Sequence, residues 1–221
     1  GTEALTGPND TLSGQIRIGA PDGAANYILP QVCAQISEDN PDLDIQIVAL
    51  PRVINLSRRE ADMTVTVSAP TAGKLLVQKI CDYQLHLVAS RYYLKDHPPI
   101  TRLEDLKGHK MIGYIPDMIF DKELDYLADL GMNRVELASN SVAVQFQWIK
   151  GGAGLGIVHD FALPQAEGVK RLLTDEMELI RSFYLVRHAD DRRLERMNRF
   201  AEALVAGMRA ELARLEVQAG L

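Results

Sequence analysis

The chain has 221 residues, 47% of them hydrophobic, which is enough to bury the core of one large or two small domains without disulfide or metal staples. A formal net charge of −6 and a pI near 5.4 argue against a surface that grips phosphate backbones, because nucleic-acid binders carry a basic footprint. No apolar run reaches the length of a signal-peptide core or a membrane span, so the sequence reads as a cytoplasmic protein without a membrane partner. Cys33 and Cys81 stand far apart, outside any metal-ligand or redox spacing, and are expected to be buried free thiols of a reducing compartment. Residues 1–11 are small and polar and read as a linker or a cloning remnant.

Leu12 to Ala20, with Ile16 and Ile18 two apart, predicts a strand running into the turn Pro21-Asp22-Gly23. Ile28, Leu29, Val32, Cys33 and Ile36 fall at helical spacing, and that helix should stop at Asp39-Asn40-Pro41. A strand at Leu43 to Leu50, a short helical segment at Asn55 to Glu60, a strand at Met63 to Val67, a loop at 68–73 and a strand at Leu75 to Cys81 follow. That β-α-β-α-β order implies parallel strands covered by helices.

Gln84 to Ser90 predicts a further strand, then a short helix. Thr101 to Glu104 has the spacing of a capping box, with threonine at the cap and glutamate three residues on. A second α/β run comprises a strand at Lys110 to Ile115, a helix at Asp121 to Leu130 closed by Gly131, and a strand at Arg134 to Ala138. Ser139-Asn140-Ser141 then opens a helix at Val142 to Ile149. Strands at Leu155 to Val158 and Leu179 to Val186 flank a turn at Pro164 to Gly168 and an apolar segment at Val169 to Leu173. The C-terminal helix is marked by Leu194, Met197, Ala201, Leu204, Met208, Leu212 and Leu215 at steps of three and four, with Asp190 and Asp191 as candidate caps. Its arginines alternate with acids, as on a solvated face.

The run Gly151-Gly152-Ala153-Gly154-Leu155-Gly156 lacks the third glycine of a dinucleotide fingerprint and closes a helix instead of opening one, so it reads as a helix stop and tight turn. The five histidines include no pair at ligand spacing, and no nucleophile motif or paired acids occur. Neither a metal, a cofactor nor catalysis is therefore expected. His159-Asp160 is the one dyad retained, since strand ends of open α/β sheets face the ligand crevice, although neighbours in sequence can point opposite ways. Four turns place small or polar residues at strand ends: Pro21-Asp22-Gly23, Val67-Ser68-Ala69, Ile115-Pro116-Asp117 and Ser139-Asn140-Ser141. Two of them open helices, whose free N–H groups and positive dipole end suit a carboxylate; plain helix capping is the alternative.

The string Leu12-Ser13-Gly14-Gln15-Ile16-Arg17-Ile18-Gly19, followed by Ile28-Leu29-Pro30 and Asn40-Pro41-Asp42-Leu43, resembles the opening of a LysR-type effector domain. Arg58 to Asp62 resembles that family's segment before the third strand, Leu103 to Gly108 its turn before the second subdomain, Gly152 to Ile157 its later glycine-rich turn, and Phe183 to Arg196 its return strand and final helix. These matches follow one another in the family's order along nearly the whole chain.

The resemblance implies an α/β fold of periplasmic-binding-protein type II, two subdomains joined by two crossing strands, with a small-molecule effector in the cleft. Residues 12–86 and 184–221 would form the first subdomain and residues 87–183 the second, with crossings near Leu85 to Ser90 and Phe183 to His188. The effector positions then correspond to Pro21, Asp22, Gly23, Val67, Ser68, Ile115, Pro116, Asn140, Ser141 and Val142, with His159 added from the dyad. The family pairs effector domains head to tail, which implies a homodimer or homotetramer and gives apolar positions on Ile28 to Ile36 a possible partner. Its winged helix-turn-helix is missing, so operator DNA would be reached only through that domain. The segment from Pro51 to Ala61 is short for the family. A solute-binding protein of a transport system shares the fold and is the alternative.

Overall fold

The computed structural model describes residues 11–50, 52–71, 73–132 and 134–220. The expectation for residues 1–10 and the start of the 51–61 segment lie outside them. The chain divides into two units. One holds the described residues through Cys81 together with Ser182–Arg214; the other holds Asp82–Arg181 and residues 215–220. The chain passes from one unit to the other within two strands and within the last helix.

In the first unit, β1 (Ser13–Ala20) pairs in parallel with β2 (Asp42–Ala49), Ile16 opposite Ile45 and Ile18 opposite Ile47. On its other side β1 meets β3 (Met63–Thr66), also parallel. Asp62 locks that junction: its carboxylate accepts from the Arg17 N–H at 2.8 Å, and its own N–H donates to the Arg17 carbonyl at 2.8 Å. β9 (Leu179–His188) adds to β3 antiparallel. The helical stretch after β1 is two helices, α1 (Asp22–Tyr27) and α2 (Leu29–Asp39), where the spacing predicted one. Pro30, which has no N–H to donate and whose ring crowds the carbonyl four residues back, enforces the break at Ile28. Ile28, Leu29, Val32, Cys33 and Ile36 are all buried in the unit's own core, so these apolar positions are not an exposed face for a partner.

Packed on that core is α5 (Glu195–Gln218). Met197, Ala201, Leu204, Met208, Leu212 and Leu215 are buried as their spacing required. Asp190 and Asp191 do not cap it. They sit in a 3₁₀ turn at Ala189–Arg193, and the helix starts beyond Leu194. Its arginines bind carbonyls: Arg196 reaches those of Ser13 and Gln15, and Arg209 those of Ile80 and Lys79 at 2.7 and 3.1 Å.

β4 (Leu75–Ser90) is one sixteen-residue strand where two were expected. Asp82, which follows the expected end at Cys81, is exposed and stands between half-buried Cys81 and buried Tyr83 without interrupting the strand. Backbone groups of its middle are satisfied by side chains of α5, Arg209 as above and Glu216, which accepts from the Gln84 N–H.

The second unit orders its strands β8-β4-β7-β5-β6, from β5 (Met111–Gly113), β6 (Leu137–Ala138), β7 (Leu155–His159) and β8 (Val169–Leu172). β5 is parallel to β6 and β7, whereas β4 is antiparallel to β7 and β8. The sheets are therefore mixed rather than all parallel. α3 (Arg91–Lys95) follows β4, and α4 (Val142–Lys150) precedes β7. The predicted helix at Asp121 to Leu130 is absent: 3₁₀ turns at Lys122–Leu124 and Ala128–Leu130 stand in its place, divided at Asp125 and closed by Gly131 at φ +65°. The expected strand at Arg134 to Ala138 is only its last two residues. At the capping-box position Asp105, not Glu104, is the acceptor, taking hydrogen bonds from the N–H groups of Thr101 and Arg102 and from the Thr101 hydroxyl. Among the described residues no helix is long and apolar enough to cross a membrane.

The glycine-rich run ends α4 and enters β7, with Gly152 at φ +78°. A Cβ on Gly154 would sit 2.5 Å from the Lys110 carbonyl oxygen, in the path of the Leu155 N–H bond to that same oxygen. Gly154→Ala should thus lower stability by about 2 kcal/mol, the scale of a forced overpacking, whereas Gly108→Ala, which meets nothing within 4 Å, should leave it nearly unchanged. Urea midpoints of the two variants test this, and equal midpoints would refute it.

Candidate ligand site

The strand-end turns of the first unit are built by local hydrogen bonds. Pro21 stands at the start of α1, its carbonyl accepting from the Ala25 N–H at 3.0 Å. Asp22 occupies the first turn of α1 and accepts from the Asn26 amide at 3.0 Å. A carboxylate thus already faces that positive helix end, which weakens its attraction for a second anion. Gly23 is buried beneath the turn. After β3, Val67 is buried, and the Thr66 hydroxyl donates to the Ser68 carbonyl at 2.7 Å, bending the chain away.

In the second unit, Ile115 precedes a 3₁₀ turn at Pro116–Met118, and Pro116 is exposed. Ser141 caps α4 by accepting from the Val144 N–H at 3.3 Å, while the Ser139 hydroxyl accepts from the Ser141 N–H at 3.1 Å. Asn140 lies half-buried between these two serines, and Val142 is buried. No acidic residue stands in the first turn of α4. Gln145, one turn on, donates its amide to the Ser139 carbonyl at 3.0 Å.

Between β5, β7 and the 3₁₀ segment is a cavity of about 260 Å³, lined by Ile112, Tyr114, Leu124, Tyr126, Val135 and Ile157 among others. Of the sequence-predicted positions only Pro116 touches it. Tyr114, Tyr126 and Gln145 were not foreseen, because a continuous helix at 121–130 would have covered the sheet here. Burial pushes the Tyr126 phenol well above its ordinary range, with Arg181 and Tyr114 acting weakly the other way.

His159 and Asp160 have different neighbours. His159 is buried among rings, with centroids 4.7 Å from Phe161, 5.5 Å from Tyr83 and 6.3 Å from Tyr126. Asp160, fully buried, lies 2.7 Å from His86 Nδ1 and 3.4 Å from Arg171 Nε. Arg171 in turn donates to the Ala219 carbonyl at 2.7 Å. Burial raises the Asp160 carboxyl above the ordinary carboxylate value, against the pull of His86 and Arg171. No sequence spacing announced this group, whose members stand 74 and 11 positions apart. Among the described residues no three His, Cys, Asp or Glu side chains gather to hold a metal. Neither Cys33 nor Cys81 is in a disulfide. Burial pushes the Cys33 thiol up to about 11, and Cys81 is half-buried.

Two mixed α/β units with small and polar residues at their strand ends define a small-molecule-binding module of the periplasmic-binding-protein type II kind. Solved structures share this fold. The regulatory domain of CrgA, a LysR-type transcriptional regulator from Neisseria meningitidis, matches with a TM-score of 0.78 at 21% identity, over 89% of this chain and 99% of that one. Full-length AphB, a virulence activator of Vibrio cholerae, matches with a TM-score of 0.72 at 22% identity, over 89% of this chain and 69% of that one. In sequence, the HTH-type transcriptional regulator PtxR of Pseudomonas aeruginosa is 25% identical over 166 residues, covering 73% of this chain and 53% of PtxR. The model of the LysR substrate binding domain matches residues 9–209, and the chain belongs to that family. It is an effector-binding regulatory domain of the LysR type, and it spans about half the length of the curated relatives it matches.

Burial holds the His159 imidazole near pKa 3, far below its ordinary 6.5. With the folded value below the unfolded one, its neutral form contributes stability that is complete above pH 6.5 and is lost as pH falls toward 3. Between pH 7 and 5 this amounts to about 2 kcal/mol. His159→Phe keeps a ring in the cluster and should remove that part of the acid sensitivity. Urea midpoints at the two pH values measure it, and parallel losses in both proteins would disprove it.

Proposed function

We propose that this chain is the sensing half of a DNA-binding transcriptional regulator and that it performs no catalysis itself. The family match over residues 9–209 carries the reading. Its relatives are named as transcriptional regulators, which favours this over a solute-binding protein of a transport system. On this reading the protein acts in the cytoplasm and contacts operator DNA through a separate helix-turn-helix domain. It assembles as a homodimer or homotetramer and shifts between two conformations according to effector, which requires different affinity for the two states.

The effector contacts are Pro21, Asp22, Gly23, Val67 and Ser68 from the first unit and Ile115, Pro116, Asn140, Ser141, Val142 and His159 from the second. If the effector is a carboxylate, the start of α4 suits it better than the start of α1, because Asp22 occupies the latter and no acid stands in the former.

Thermal-shift measurements against small carboxylates, amino acids and sugars test this. A ligand at 100 times its Kd stabilises the folded state by about 2.7 kcal/mol. The expected result is one saturable class of ligand whose effect is lost in Ser68→Ala and in Asn140→Ala. Stabilisation that neither substitution alters would remove these turns as the effector site.

A further inference from the structure

We propose that the cavity of the second unit is a ligand site in its own right, taking a small neutral molecule of one ring bearing a single hydroxyl. The space is a pocket open at its rim, and its volume bears comparison with the apolar cavity of about 150 Å³ that accommodates benzene. At about 260 Å³ this one has room for a ring and a substituent.

Its lining sets the chemistry. Ile112, Leu124, Val135 and Ile157 supply apolar walls, and no lysine, arginine or histidine is among the lining residues. A buried carboxylate would find no cation there and would carry its desolvation cost uncompensated. Asp125, the one charged residue of the lining, is exposed at the rim with Pro116 and Ala128 and adds a further bias against anions. Polar groups make up a substantial part of the lining, among them the phenols of Tyr114 and Tyr126 and the amide of Gln145, which already donates to the Ser139 carbonyl. Tyr126 is 5% exposed and its phenol stays protonated close to Tyr114, so that the pair can present a hydroxyl donor to an acceptor oxygen. The exposed rim gives the ligand its way in. The roof is a pair of 3₁₀ turns, which rearrange at lower cost than a packed helix.

The site is separate from the effector contacts of the proposed function, sharing only Pro116 with them, and stands whether or not that reading does. Ligand-observed NMR titrations of the chain with phenol, benzyl alcohol, toluene and benzoate test it. Phenol and benzyl alcohol should bind saturably, benzoate at least tenfold more weakly. Tyr126→Phe should weaken phenol about fivefold, the loss of one hydrogen bond, and leave toluene unchanged. Val135→Phe fills the cavity and should abolish binding; Ala128→Phe closes the rim from the exposed side and should do the same even if the first variant folds poorly. Ser68→Ala and Asn140→Ala should bind phenol normally, which separates this site from the effector turns. Absence of saturable phenol binding, benzoate binding as tightly as phenol, or phenol binding intact in both phenylalanine fillings would each overturn the assignment.

Discussion

Asp160 has no solvent, and an isolated ionised carboxylate in that position would be untenable. It is held by His86 from β4 and Arg171 from β8, while it follows directly on the last residue of β7. Three strands of the second unit thus converge on one buried charge. Arg171 also fixes the carbonyl of Ala219 at the end of α5, and Glu216 on the same helix accepts from the backbone of β4. His86 and Arg171 are the charged neighbours this buried carboxylate has, so the group sets the positions of β4, β7 and β8 against each other and anchors the end of α5.

That constraint reaches the cavity through strand alternation. Successive side chains of β7 point to opposite faces, so Ile157 and His159 share one face while Asp160 begins the other. Ile157 lines the cavity, and His159 stacks behind it, between Phe161 and Tyr126. The charged cluster on one side therefore fixes the aromatic wall on the other. It also explains why adjacent members of a sequence dyad, His159 and Asp160, end in unrelated surroundings: one is a neutral ring in an apolar stack, the other a carboxylate in an ion network.

What was legible in the sequence was whatever depends on local periodicity or on a family's ordered motifs. The buried stripe of α5, the strand β1 with its turn, the serine cap of α4 and the glycine stop after it all follow from spacing and side-chain chemistry within a few residues. Misreadings arose where distant groups decide. The expected end of one strand at Cys81 and start of another at Gln84 are bridged, and nothing local shows that α5 supplies hydrogen-bond partners to the middle of β4. The segment from Asp121 to Leu130 reads in sequence as a helix closed by Gly131, yet the chain there turns twice in 3₁₀ form, with Tyr126 buried. Of the candidate site, the strand-end turns were visible as turns, while Gln145, Tyr114 and Tyr126 were hidden inside elements whose faces only the fold determines.

Charge separates the chemistries that the turns and the cavity can select. Around the 3₁₀ segment stand Asp117, Asp121, Glu123, Asp125 and Asp129, with Lys122 the only lysine among them, in a chain already at net charge −6. Arg181 answers Glu123 at 3.1 Å and so offers no free cation to an incoming anion. A field of that sign slows anions and passes neutral molecules. The start of α4 differs, since its first turn holds no acid. On the two proposals above, one unit would discriminate twice, by dipole at the helix start and by volume and neutrality beneath the 3₁₀ roof, with α4 contributing Asn140–Val142 at its opening and Gln145 one turn later. A ligand that favoured one arrangement of this helix start would then bias both places together, the physical minimum that coupling between two sites requires.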